Sequence, residues 1–147
     1  MRKAVLFISA LILTVSSFAQ IRKTPVAVTE AFAKKYPVAQ DVRFEDNLVN
    51  VQVHFVLDSV KMIAKFDNDG SWKETEKAFS YDQLTDEVKD GFQKSKYSNE
   101  WKVKETSIIH MPDGSERYRL KVEKNDLLKK YLFFDKTGKL IRDSLTI

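Results

Sequence analysis

Apolar residues recur at two different spacings along this chain, and the two spacings alternate. Within residues 26–36 the apolar side chains Val28, Phe32 and Tyr36 repeat every four residues, which places them on one face of a helix. From residue 42 to residue 79, apolar and polar residues mostly alternate, as in strands that bury one face. Turn-forming residues divide this stretch, so the pattern predicts a helix followed by a four-stranded meander.

The second half of the chain repeats this order. After Ser80, which has the capping-box spacing to Gln83, a second helical stripe is formed by Leu84, Val88 and Phe92. Four further strands are then predicted at Trp101–Ile109, Arg117–Lys124, Leu127–Phe134 and Lys139–Leu145. We therefore interpret residues 26–79 and 80–146 as a tandem duplication.

One turn motif is the clearest sequence similarity between the two halves. Phe66-Asp67-x-x-Gly70 lies before the fourth strand of the first half, and Phe134-Asp135-x-x-Gly138 lies before the fourth strand of the second. No linker rich in Gly, Ser or Pro separates the halves. The predicted fold class is α+β, with one antiparallel sheet and both helices on one of its faces. Phe32 and Phe92 are expected to be buried against this sheet.

The first 19 residues have the features of a secretory signal peptide. Arg2 and Lys3 precede the apolar segment 4–18, and Ser17-Phe18-Ala19 supplies small residues at positions −3 and −1 of a cleavage site. The mature chain is expected to be a single domain, residues 20–147, made of the two repeats. No later segment is apolar enough to span a membrane, so we expect a periplasmic or secreted protein.

Composition narrows the classes of function. Removing Arg2 and Lys3 lowers the formal net charge from +4 to +2, too small an excess for a nucleic-acid binder. The chain has no Cys and two His, His54 and His110, which are not at ligand spacing, so no metal site is predicted. Phosphate loops and nucleophile elbows are also missing. We therefore expect no catalytic residues, no cofactor and no enzyme activity.

The best candidate binding site is a set of basic side chains that project to one face of the predicted sheet. Seven residues are predicted to share the sheet face opposite the helices, five of them basic and two aromatic: Lys102, Lys104, Arg117, Arg119, Lys121, Tyr131 and Phe133. Such a stripe is either an ordinary solvated face or a footprint for an acidic protein or an anionic glycan. The two aromatic residues are either interface anchors or part of the core.

The organisation of the chain resembles the PepSY-like, β-lactamase-inhibitor-like family of exported bacterial proteins. The residues that carry this resemblance are the two helical stripes, Tyr36-Pro37, Lys96-Tyr97 and the two Phe-Asp-x-x-Gly turns. The resemblance implies a β-lactamase-inhibitor-protein-like fold whose concave sheet face grips a protein. The expected function is thus non-catalytic binding, or inhibition, of a protein partner. The alternatives are a small-ligand or ion-binding envelope sensor and an uncharacterised enzyme.

The signal peptide gives the first testable prediction. Because the small residues end at Ala19, signal peptidase should leave Gln20 as the first residue of the mature protein. Intact mass spectrometry of protein purified from its native envelope measures this. A mass that still includes residues 1–19 would contradict it.

Overall fold

The structure is a computed structural model that describes residues 23–146. The predicted signal peptide, its cleavage site and Ile147 lie outside the described residues, so the processing of the chain stays a prediction. No helix within 23–146 is long and apolar enough to cross a membrane.

Two α-helices and eight β-strands follow one another in the predicted order. In the first half, helix α1 (Val26–Lys35) precedes strands β1 (Gln40–Asp46), β2 (Asn50–Leu57), β3 (Val60–Asp67) and β4 (Trp72–Phe79). In the second half, helix α2 (Asp86–Gln93) precedes strands β5 (Lys102–His110), β6 (Glu116–Glu123), β7 (Lys129–Asp135) and β8 (Leu140–Leu145). The strand bounds differ from the predicted ones by one or two residues.

All eight strands form one antiparallel sheet in chain order, from β1 to β8. Residues directly opposite each other across a ladder project to the same face, so the register assigns the faces. One continuous row crosses seven strands and contains Phe55, Met62, Lys77, Ile108, Tyr118, Phe134 and Leu140. Side chains of this row pack with both helices, which therefore lie on the same face of the sheet.

Two apolar clusters hold the helices to the sheet. Phe32 of α1 is 4% exposed and packs among the aromatic rings of β2 and β3, with its ring centre 5.1 Å from that of Phe55. Phe92 of α2 is 7% exposed and packs against β6 and β7. Both predicted anchors are thus buried where expected. Burial of large apolar side chains on one face only explains why these strands alternate in sequence.

The start of α2 differs from the prediction. Ser80 and Gln83 do form a capping box, but it caps a separate 3-10 turn at Tyr81–Gln83. Helix α2 begins later, at Asp86, where the Thr85 hydroxyl accepts a hydrogen bond from the Val88 amide. Leu84 lies between the two helical segments and is still buried, so the apolar stripe is continuous although the helix is not.

Hairpin turns touch the backbones of both helices. At Gly70 a Cβ atom would lie 2.7 Å from the carbonyl oxygen of Ala27 in α1. At Gly138 a Cβ atom would overlap the carbonyl oxygen of Glu87 in α2, and Gly91 of α2 faces Gly138 in return. Each turn therefore needs glycine for two reasons, its positive φ and the close approach of a helix.

A comparison of Gly114 with Gly138 distinguishes the cost of a positive φ from the cost of the close approach to a helix. Gly114 and Gly138 both have φ near +81°, but nothing lies within 4 Å of a Cβ at Gly114. Gly114→Ala should cost about 1–2 kcal/mol from the left-handed backbone alone. Gly138→Ala should cost about 1–3 kcal/mol more, because it must also push α2 away from the sheet. Urea unfolding of both variants measures the difference, and equal losses would contradict the close contact.

Candidate protein-binding face

The sheet face opposite the helices, which we call the open face, carries six of the seven predicted site residues by strand register, and Lys104 lies in an irregularity of β5. Arg119 lies opposite Ser107 and Phe133, and Lys121 lies opposite Tyr131, so these side chains share one face. Arg117, and Glu123 opposite Lys102, lie an even number of residues from Arg119 along β6. Arg117 and Lys102 therefore project to the same face as Arg119. Lys104 sits at a register shift in β5 and reaches Glu123 of the open face. The register therefore gives the face on which these side chains lie, and their role in binding stays a prediction.

Carboxylates neutralise three of the five predicted cations. Arg119 forms an ion pair with Glu76 of β4, and both side chains are mostly buried. The Lys121 ammonium lies 2.7 Å from a Glu105 carboxylate oxygen, and this hydrogen bond raises the pKa of Lys121. Lys104 lies 4.0 Å from Glu123. This part of the face is an ion-pair network and not a continuous basic stripe.

Two arginines stack on the predicted aromatic residues. The Arg119 guanidinium carbon lies 4.4 Å from the ring centre of Tyr131. The guanidinium carbon of Arg142, in β8, lies 4.1 Å from the ring centre of Phe133. Phe133 is only 9% exposed although no helix covers it, because neighbouring long side chains shield its ring. Cation–π stacking of this kind orders flexible arginines on a sheet surface.

A groove crosses the middle of the open face. Its volume is about 240 Å³, and its lining mixes charged and apolar side chains: Lys65, Glu74, Glu76, Ile109, Arg117, Arg119, Phe133 and Arg142. A second cavity of about 250 Å³ is lined by Arg117, Phe133, Ile141 and Arg142. Within residues 23–146, neither Arg117 nor Arg142 has a carboxylate within 4 Å. Within the described residues, the groove therefore ends at two arginines that form no ion pair within 4 Å, although Arg117 lies near enough to Asp113 to contribute to lowering the pKa of that carboxyl group.

Sequence reasoning missed Arg142 and the acidic partners. Glu76 lies on β4 and reaches Arg119 on β6 across β5, a contact that depends on the register of three strands. Arg142 follows a register shift between β7 and β8, which changes the parity of the edge strand. The alternation within one strand carries no signal for either contact.

The two histidines each contact a glutamate on a neighbouring strand. His54 Nε2 lies 3.2 Å from Glu45, and His110 Nδ1 lies 3.2 Å from Glu116. Among the described residues, no group of three or more His, Cys, Asp or Glu side chains could hold a metal ion.

Three of the aspartates with lowered pKa values, Asp69, Asp113 and Asp135, lie in hairpin turns. In the turn predicted at Asp67-Asn68-Asp69-Gly70, the pKa of Asp69 is lowered mainly by the hydrogen bond from the Ser71 amide. Hydrogen bonds from the side chains of the residues two positions on lower the pKa values of Asp113 and Asp135 in the same way. These carboxylates therefore accept hydrogen bonds within their own turns.

A family model covers most of this fold. The model described as "Putative beta-lactamase-inhibitor-like, PepSY-like" matches residues 41–142, which include all eight strands except the outer ends of β1 and β8. The chain belongs to this PepSY-like family. The resemblance read from the sequence is thereby confirmed. None of the curated proteins matches the chain.

Solved structures share the PepSY-like fold of this chain. A DUF2874 family protein from Bacteroides ovatus is 25% identical, with a TM-score of 0.74 over 84% of this chain and 89% of that one. A BLIP-like protein from Bacteroides fragilis is 26% identical, with a TM-score of 0.71 over 85% and 89%. A protein from Bacteroides eggerthii described as "putative periplasmic" is 20% identical, with a TM-score of 0.74 over 84% and 90%. Two helices on an eight-stranded antiparallel sheet are thus common to these proteins.

The ion pair between Arg119 and Glu76 can be tested by a double-mutant cycle. Because both side chains are mostly buried, Arg119→Gln and Glu76→Gln should show a coupling energy of about 1–2 kcal/mol, between the values of exposed and buried pairs. The matched control is Lys94 with Asp90, an exposed pair on α2 that should couple by about 0.5 kcal/mol or less. Chemical unfolding of all variants gives both values. Equal coupling in the two cycles would show that Arg119 is an ordinary surface cation.

Proposed function

We propose that this protein is an exported, non-catalytic module that binds or inhibits a protein partner through the open face of its sheet. The observation that carries the proposal is the pair Arg117 and Arg142, which flank the Phe133 ring at the end of the open-face groove without a carboxylate of the described chain within 4 Å. Arginines around a shielded aromatic ring are typical of residues that dominate protein interfaces.

Charge selects the chemistry of the partner. Arg119 and Lys121 already have carboxylate partners within the chain, so they offer little net attraction. The planar guanidinium groups of Arg117 and Arg142 retain their full capacity to donate hydrogen bonds to a carboxylate. The partner surface is accordingly acidic where it meets the groove, with an apolar group beside the acid that contacts Ile141 and Phe133. An anionic glycan is the other ligand of this charge, and it lacks such an apolar group.

We infer further that the two halves, 26–79 and 80–146, are a tandem duplication within one domain. Equivalent contacts in the two halves support this inference. Tyr36, after α1, shares a hydrogen bond with Thr75, the fourth residue of β4, and Tyr97, after α2, donates one to Asp143, the fourth residue of β8. Gly70 and Gly138 approach α1 and α2 in the same manner. A duplicated scaffold places the binding face across both halves.

An envelope location is part of the proposal. It is supported by the signal-peptide pattern of residues 1–19 and by the "putative periplasmic" description of the Bacteroides eggerthii protein that shares the fold. A partner is therefore to be sought among envelope or secreted proteins.

The experiment compares charge reversals on the two faces of the molecule. Mature wild-type protein captures partners from an envelope extract, and the recovered partner is purified for binding measurements. Arg117→Glu with Arg142→Glu should weaken its affinity at least about tenfold and reduce the salt dependence of association, because the groove would then repel the acidic partner. The matched control is Lys34→Glu, an exposed cation on α1, which should leave the affinity unchanged.

Thermal unfolding of the double variant checks that its fold is intact, since both arginines are exposed and contribute little to stability. Equal affinities of the double variant and wild type would overturn the assignment of the open face. Loss of binding in Lys34→Glu alone would move the interface to the helices. Capture of an anionic polysaccharide in place of a protein would support an anionic glycan as the ligand of the open face.

A further inference from the structure

The middle of the helix-bearing face is left uncovered. Helix α1 packs on β2 and β3 and reaches β4 through Lys35 and the adjoining Tyr36, and helix α2 packs on β6 and β7. The 3-10 turn contacts β5, but neither helix covers the seam between β4 and β5. Two adjoining cavities of about 400 Å³ and about 310 Å³ lie along this seam and share Lys77 and His110. We call the larger one the seam cleft. A cavity of this size is in the range that small-molecule ligands occupy.

One wall of the seam cleft is apolar. It is formed by Tyr36, Leu57, Met62 and Trp72. The indole N–H of Trp72 donates to the Thr75 hydroxyl oxygen at 2.9 Å, and the Tyr36 hydroxyl hydrogen-bonds to the same atom. Because these polar atoms are already satisfied by buried Thr75, Tyr36 and the part of Trp72 that Lys35 leaves uncovered present mainly carbon surface to a ligand.

The charged groups of the seam cleft are basic. The Lys35 ammonium lies 3.6 Å from the ring centre of Trp72, at the edge of the cleft, and half-buried Lys77 lines its floor. Within residues 23–146, no carboxylate lies within 4 Å of either ammonium group. His110 differs, since its Nδ1 lies 3.2 Å from Glu116. Half-buried Lys77, without a carboxylate within 4 Å and beside an apolar wall, favours a ligand that supplies one negative charge.

We propose that the seam cleft binds a small amphipathic monocarboxylate. The carboxylate pairs with the ammonium group of Lys77, Lys35 at the edge of the cleft adds to the positive charge, and the hydrocarbon part lies against Met62, Leu57 and the part of Trp72 that Lys35 leaves uncovered. This site is independent of the proposed function, because it lies on the opposite face of the sheet from Arg117 and Arg142. Either proposal can therefore fail without the other.

Tryptophan fluorescence can report on the cleft directly. The chain has two tryptophans, and Trp101 lies beside Tyr97, outside the residues that line the cleft. In mature protein that carries Trp101→Phe, Trp72 is the only reporter. Titration with octanoate should produce a saturable change in its emission. Neutral 1-octanol, which has the same chain length, should bind about tenfold or more weakly because it cannot pair with the lysines.

Substitutions of single lysines test which ammonium group contributes to octanoate binding. Lys77→Gln should weaken octanoate binding about tenfold, and Lys35→Gln should weaken it in the same direction, while 1-octanol binding should hardly change. The matched control is Lys34→Gln, the neighbouring exposed lysine of α1, which should bind octanoate as the parent does. Retained thermal midpoints show that the variants are folded.

Three outcomes would overturn the proposal. The first is the absence of any saturable change at Trp72 with octanoate. The second is equal affinity for octanoate and 1-octanol, which would leave only an apolar surface. The third is octanoate binding that is unaffected by both lysine substitutions.

Discussion

Two hairpin turns each carry a glycine where they meet the backbone of a helix, and this contact sets how closely the helices approach the sheet. Helices of ten and eight residues are too short to be stable alone, so α1 and α2 depend on packing for their existence. Gly70 and Gly138 allow the closest approach, and Phe32 and Phe92 then fill the space between helix and strands. The opposite face keeps polar residues because nothing in the described chain packs on it.

Ion pairs and stacking give the open face a fixed shape before any partner arrives. Long charged side chains normally lose rotamer freedom when an interface forms, which weakens association. Here Arg119 is held between Glu76 and Tyr131, and Arg142 is held on Phe133. Part of the entropy cost of ordering these side chains is thus met during folding. This favours binding by a rigid surface over binding by an adaptable one.

Local patterns predicted most of the architecture. Period-two alternation identified the strands, and the four-residue stripes identified both helices, because burial on one face leaves a regular trace in the sequence. The start of α2 was misplaced, since a capping box stabilises a 3-10 turn as readily as a helix. The repeated turn motif located Gly70 and Gly138 but not their contacts with helix backbones.

The candidate sites were less accessible to prediction. Parity placed Arg119 and Phe133 on the open face correctly, yet the carboxylate that pairs with Arg119 lies two strands away. The seam cleft left no trace in any single strand. Trp72, Lys77 and His110 line one cavity because α1 reaches β4 through its last turn while neither helix covers the ladder between β4 and β5. Contacts that depend on the register of several strands, or on what the helices leave uncovered, require the assembled sheet.

The order of the strands has a consequence for how the chain folds. Every strand pairs with its neighbours in sequence, so most ladders close short loops, and only the pairing of β4 with β5 must wait for the segment that contains α2. Topologies dominated by such local pairing fold fast for a sheet protein. During synthesis, which begins at the amino terminus, α1 and the first four strands are complete before the second half is available. The finished half then offers β4 as a template on which β5 is added.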